Sequence, residues 1–299
     1  MRLFLGFLIV ASSAGIVLSQ QQGRIEIHVV QVPMVVTVTD GNGQLITNLN
    51  KTDFKVFDGN RLQKIDSFLR EADLPLSVVL LIDQSSSTSQ LLEFERAAAM
   101  DFFSSTLKRG KDRAAVIGFS NDPQVLVDFT DDLTQLESGM KKLKAGGGTG
   151  VYDAVYFAAQ QKLSKEQGER RKVIILITDG FDTFSSRTLK EAMERVQRHD
   201  ALIYAISVTR ATAKTDEREA GEKAIRQMVD ETGGRAYFPT QLSDMSREFK
   251  KIENELRSQY SLSFTPVNPF DGTYRKLRVE LSDKKYKARS RTGYVASKS

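Results

Sequence analysis

The 299-residue chain has no cysteine and two histidines, and each scarcity removes a class of chemistry. Without cysteine there is neither a disulfide framework nor a thiol for lipid attachment. His28 lies in a strand-like N-terminal segment and His199 near a helix end, so serine-based acyl transfer lacks a base beside any candidate nucleophile. There is no P-loop, which argues against ATP as a ligand. The formal charge is +5, but the basic residues are dispersed among Asp and Glu. With no zinc-finger spacing and no dense basic stripe, nucleic acid is not an expected partner. The remaining composition, 40% apolar, supplies one large core or two modest ones.

The first twenty residues, MRLFLGFLIVASSAGIVLSQ, carry one basic residue and an apolar tract, with Val17 and Ser19 placed for cleavage before Gln20. This predicts a signal peptide over residues 1–19 and a secreted or periplasmic protein. If left uncleaved, the segment becomes a membrane anchor. An exported bacterial protein without disulfides accords with the missing cysteines.

The rest reads in three parts. Residues 20–73 are strand-like: IEIHVVQVPMVVTVTD is rich in Val and Ile, and Asp58-Gly59-Asn60 is a hairpin signal. In residues 74–258, apolar strand-sized runs (77–82, 114–119, 172–178, 202–208) alternate with helix-sized periodic segments (91–107, 133–143, 151–167, 188–199, 221–232). That alternation predicts an α/β fold, a doubly wound and mostly parallel sheet flanked by helices. Residues 125–129 suit an edge strand or hairpin partner, and TRATAKTDEREAG suits an exposed loop leading into a helix at Gly221. Residues 259–299 return to strands. Two strands alone would be marginal, so the economical arrangement inserts the α/β domain into a small β-sandwich built from both termini.

Asp83 closes the first apolar strand, and the chain continues as DQSSS. Ligands of open α/β sheets gather at the carboxyl ends of strands. Two other loops reach the same end: AGGGTG, carrying Thr149, and ITDGFD, carrying Asp179. Asp83, Ser85, Ser87, Thr149 and Asp179 then form an all-oxygen set that suits a hard cation, Mg²⁺ before Mn²⁺ or Ca²⁺, and suits zinc poorly. With two carboxylates and neutral hydroxyls, the ion keeps positive character and an exchangeable water. Taken singly, Asp83 and the serines also read as helix-capping residues, Asp153 as a first-turn residue favoured by the helix dipole, and Asp182 as a solvated loop residue. Phe181 and Phe184 are candidates for an apolar rim, and SDKKYKARSR for a lysine-protected edge strand.

The D-x-S-x-S stretch, the loop threonine and the T-D-G turn, in this order over residues 74–256, resemble the metal-ion-dependent adhesion site of von Willebrand factor type A (VWA) domains. The whole chain resembles secreted VWA-containing proteins described from acidobacteria. The resemblance implies direct ligation by Ser85 and Ser87, direct or water-mediated ligation by Asp83 and Asp179, and a Thr149 contact that changes when ligand binds. It also implies a protein partner presenting Glu or Asp. The expected protein is not an enzyme. A structural or envelope-scaffold protein with a closed metal is the alternative, and a metal-dependent hydrolase is a further one. Partner identity and oligomeric state are not encoded in these motifs.

Overall fold

The computed structural model describes residues 31–71, 74–85, 92–207, 214–267 and 271–296. The signal-peptide segment, His28, Ser87 and Pro269 lie outside them. Four strands come first, β1 (Val32–Thr39), β2 (Phe54–Asp58), β3 (Arg61–Gln63) and β4 (Ser67–Glu71). The α/β segment follows as β5 (Leu76–Asp83), α1 (Leu92–Thr106), β6 (Arg113–Phe119), β7 (Pro123–Thr130), α2 (Leu133–Met140), α3 (Val151–Phe157), β8 (Arg171–Ile177), α4 (Leu189–Arg198), β9 (Leu202–Ile206), α5 (Thr215–Thr232), β10 (Ala236–Tyr237) and α6 (Met245–Leu256). The chain closes with β11 (Gln259–Phe264), β12 (Tyr274–Leu281), β13 (Lys287–Arg289) and β14 (Gly293–Val295).

The central sheet has the order β10-β9-β8-β5-β6-β7, parallel except for β7. Every residue of β5 is buried, which is why the strand reads as an unbroken apolar run. Its alternate side chains enter opposite cores. Leu76, Val78, Leu80 and Ile82 pack with Phe102, Phe103 and Phe249 of α1 and α6. Val79 and Leu81 face Val155, Val196 and Ile225 of α3, α4 and α5.

The terminal strands interleave in two antiparallel sheets, β13-β1-β11-β4 and β14-β12-β2-β3. Each mixes N- and C-terminal strands: β1 pairs with β11, and β2 with β12. Val32, Met34, Val36, Phe54, Val56, Tyr260, Phe264 and Leu277 form their shared core. The expected insertion of an α/β domain into a sandwich is therefore the observed architecture.

A buried polar joint links the two units. Glu255, near the end of α6, accepts from Tyr204 of β9 at 2.5 Å and from Thr37 of β1 at 3.3 Å, and pairs with Arg289 of β13. Close by, Arg171 donates to the Leu256 carbonyl and Arg257 pairs with Asp112. The last helix is thus tied at its C-terminal end to both units.

Three local readings change. Helix α5 begins at Thr215, six residues before Gly221, with Asp216 and Glu217 favourably placed in its first turn. Gly221 does not open the helix; it lies inside it, for a packing reason given below. The helix expected over 151–167 is α-helical to Phe157, then a π-helical turn to Lys162 and a 3₁₀ turn to Lys165. The C-terminal segment supplies four strands, β11 to β14, where its pattern suggests two.

Candidate metal centre

The strand order reverses at β5, where β6 lies on one side and β8 on the other, so their carboxyl ends leave a crevice between diverging connections. Asp83 ends β5, and Thr178 and Asp179 follow β8 at once. Asp83, Ser85, Thr149 and Asp179 are 0%, 3%, 7% and 8% exposed. Four buried polar side chains thus lie on the segments that follow β5 and β8 and on the loop that precedes α3.

Each is held by its neighbours. Asp83 Oδ1 accepts from the Ser85 amide at 2.8 Å, folding the turn back on the strand end. Its Oδ2 accepts from the Thr178 hydroxyl at 2.7 Å, which in turn accepts from the Gly180 amide at 3.1 Å. The Asp179 carboxylate accepts from the Phe181 amide at 3.2 Å. Burial raises the Asp83 pKa, the bonds from Thr178 and Ser85 oppose this, and the like charge of Asp179 adds to the rise. The two carboxylates therefore feel each other.

The loop carrying Thr149 is fastened to both partners. The Gly146 amide donates to the Gln84 carbonyl at 2.7 Å and the Gly148 amide to Asn121 Oδ1 at 2.6 Å. Thr183 closes the other side: its amide donates to the Thr149 carbonyl at 2.9 Å and its hydroxyl accepts from the Thr149 amide at 3.1 Å. Asp182 and Asp153 are more than solvated or dipole-favoured residues. Asp182 accepts from the Tyr152 and Ser185 amides, and Asp153 from the Ser186 and Arg187 amides, pinning the loop after β8 onto α3.

Close backbone approach completes the frame. Gly180 has φ of +80°, and a Cβ on Gly221 of α5 would lie 2.4 Å from the Asp179 carbonyl. Gly221 thus lets α5 press against the Asp179 turn.

Of the five expected residues, Asp83 and Asp179 lie within reach of each other's charge, Ser85 folds back on Asp83, and Thr149 lies on the loop bonded to Thr183; Ser87 lies outside the described residues. Sequence reasoning missed Thr178, although it directly precedes Asp179, and Asn121, whose turn gave no sign of reaching another loop. It also missed Glu95, buried in the first turn of α1. Burial, and then the Asp83 charge, push its carboxyl up to about 8, and its Oε2 has no hydrogen-bond partner among the described residues. His199 caps α4, at the end of the sheet remote from Asp83. Phe184 is 54% exposed beside the Thr149 loop, whereas Phe181 is half-buried. Among the described residues, no group of three or more Asp, Glu, His or Cys is placed to hold a metal. Any ion here relies on two carboxylates, hydroxyls and water.

The sequence model of the von Willebrand factor type A domain matches residues 77–258. The chain belongs to that family. Among solved structures, a VWA protein from Catenulispora acidiphila superposes with a TM-score of 0.54 at 13% identity, over 83% of this chain and 74% of that one. A mutant of the PilB minor pilin from Streptococcus sanguinis gives 0.50 at 12% identity, over 62% of each chain. Proximal thread matrix protein 1 of the mussel byssus, solved with a zinc-occupied MIDAS motif, gives 0.50 at 14%, over 67% of this chain and 49% of that one. These likenesses concern the fold. No curated protein matches the sequence.

The donor chemistry fits a divalent ion. The side chains concerned are all oxygen donors, and the repulsion that Asp179 exerts on Asp83 is of the sign that a cation relieves. No helix among the described residues is long and apolar enough to cross a membrane.

Proposed function

We propose that this VWA protein is an exported, metal-dependent protein-binding module. The observation that supports the reading is the burial of Asp83, Ser85, Thr149 and Asp179, with Asp83 ending the strand at which the sheet order reverses. Those four, with Ser87 from the D-x-S-x-S motif, would hold Mg²⁺, or Mn²⁺ or Ca²⁺ in its place. The bound ion supplies a Lewis acid that accepts a Glu or Asp carboxylate from a partner protein. Exposed Phe184 supplies an apolar rim for residues flanking that acid. Binding, not turnover, is the role of the site, with neither nucleic acid nor ATP as partner.

Export rests on the signal-like residues 1–19. The mature protein then begins at Gln20, its VWA unit spans residues 74–258, and the flanking segments act as its sandwich base. Release to the periplasm or exterior follows cleavage, and membrane retention follows its failure. The resemblance to secreted acidobacterial proteins points the same way.

An array of hexapeptides with a central Glu or Asp, each matched to its Gln or Asn counterpart, tests the reading. Retention of acidic peptides in Mg²⁺, lost in EDTA and for the amide counterparts, is the expected result. A folded protein that binds the ion but no acidic peptide would favour the structural-metal alternative.

A further inference from the structure

A second concavity lies at the end of the VWA sheet remote from Asp83, between the base of the α/β unit and the outer face of the β13-β1-β11-β4 sheet. It encloses about 380 Å³, within the range of small-molecule sites. One wall follows from strand alternation. Val32, Met34 and Val36 turn into the sandwich core, so Pro33 and Val35 turn outward and line the cleft with Leu69 of β4.

The other wall is polar and cationic. Arg291, between β13 and β14, is 7% exposed. It donates from Nη1 to Asp200 Oδ1 and from Nη2 to the Pro33 carbonyl, each at 2.5 Å. Among the described residues its Nε is buried without a hydrogen-bond partner, as is Nε2 of His199, and both residues line the cleft. A buried donor left unpaired opposes folding, which favours an acceptor from outside the chain. Among the described residues, four Lys or Arg and three acidic ones line the space, and Asp200 is already paired with Arg291. Burial, and then the charges of Lys172 and Arg195, lower the His199 pKa. The same field favours an anion.

We propose that this cleft binds a small organic carboxylate with an apolar body, its oxygens accepting from Arg291 Nε and His199 Nε2 and its body lying on Pro33, Val35 and Leu69. A monoanion matches the small positive excess, and the apolar wall selects against a bare inorganic ion. Asp200 and Leu69, each about half exposed, open the cleft to solvent. The site is independent of the metal centre.

The chain has no tryptophan, so naphthalene-2-carboxylate can be followed by its own fluorescence anisotropy. The chain from Gln20 onward is titrated in EDTA, which strips divalent ions from the Asp83 site, and naphthalene-2-methanol serves as a neutral competitor. We expect one saturable site, with the alcohol weaker by at least about tenfold because it lacks the charge-assisted bonds. Arg291→Gln and Leu69→Glu should each weaken the carboxylate by about tenfold, the first by removing the donor and the second by adding a like charge. Should Arg291→Gln fail to fold, the exposed Leu69→Glu variant decides. No saturable binding by folded wild type, equal affinity for the alcohol, or undiminished binding by folded Leu69→Glu would overturn the proposal.

Discussion

Replacing Glu95 with glutamine isolates the cost of keeping a carboxyl group buried close to Asp83. Its ordinary pKa of 4.5 is pushed up to about 8, first by burial and then by Asp83. Below pH 4.5 the folded and unfolded chains both hold the proton, and Glu95 imposes no electrostatic penalty. Between 4.5 and 8 the unfolded chain ionises while the folded one does not, so stability is lost as pH rises. Each pKa unit is worth about 1.4 kcal/mol, so the loss approaches about 5 kcal/mol by pH 8 as an upper bound. Glutamine has nearly the same shape and no proton to lose. Urea denaturation of metal-free wild type and Glu95→Gln, from pH 4.5 to 8.5, should give two stability curves that diverge in favour of the variant as pH rises. A constant packing difference shifts the curves without changing this divergence. Parallel curves, or a wild type that gains on the variant toward pH 8, would refute the reasoning.

Glu255→Ala leaves the Arg289 guanidinium facing a buried joint without its carboxylate, and should cost about 3–5 kcal/mol in chemical denaturation; a loss under about 1 kcal/mol would mean the joint is not a unit. Gly221→Ala reverses the usual rule. Glycine to alanine in a helix interior normally gains about 1 kcal/mol, but here the new methyl meets the Asp179 carbonyl, so thermal unfolding should show a net loss of about 1 kcal/mol or more. Phe184→Ser should weaken acidic-peptide binding several-fold, about 1 kcal/mol, while leaving metal affinity unchanged by calorimetry; a change in metal affinity instead would assign Phe184 to the ion's support.

What the sequence disclosed and what it withheld divide along physical lines. Strand β5 was legible because a strand buried on both faces must be apolar throughout, and Asp83 stood out as the place where that run stops. Asp179 was legible for the same reason at the end of β8. Thr149 needed only a glycine loop between two periodic segments. The supporting contacts are of another kind. Thr178 and Asn121 act through bonds spanning 95 and 27 residues, and such separations leave no local periodic trace. Glu95 sits among helix-typical residues, and its burial depends on which face of α1 meets the sheet. Gly221 was misplaced because a glycine in a polar run resembles a boundary, whereas its purpose is contact with a turn 42 residues earlier, Asp179 and Gly180. The union of N- and C-terminal strands in one sandwich follows from economy, since two lone terminal strands would leave their apolar faces open, whereas the particular pairing of β1 with β11 is seen only in the structure.

The most direct test is the binding of Mn²⁺ to the chain from Gln20 onward, followed by electron paramagnetic resonance of the free ion, for wild type, Asp83→Asn and Asp179→Asn. One saturable site in wild type, weakened by at least about tenfold in each folded variant and displaced by excess Mg²⁺, is the predicted result. Absence of saturable binding by folded wild type, or binding by both variants as tight as that of wild type, would contradict a metal centre built on Asp83 and Asp179.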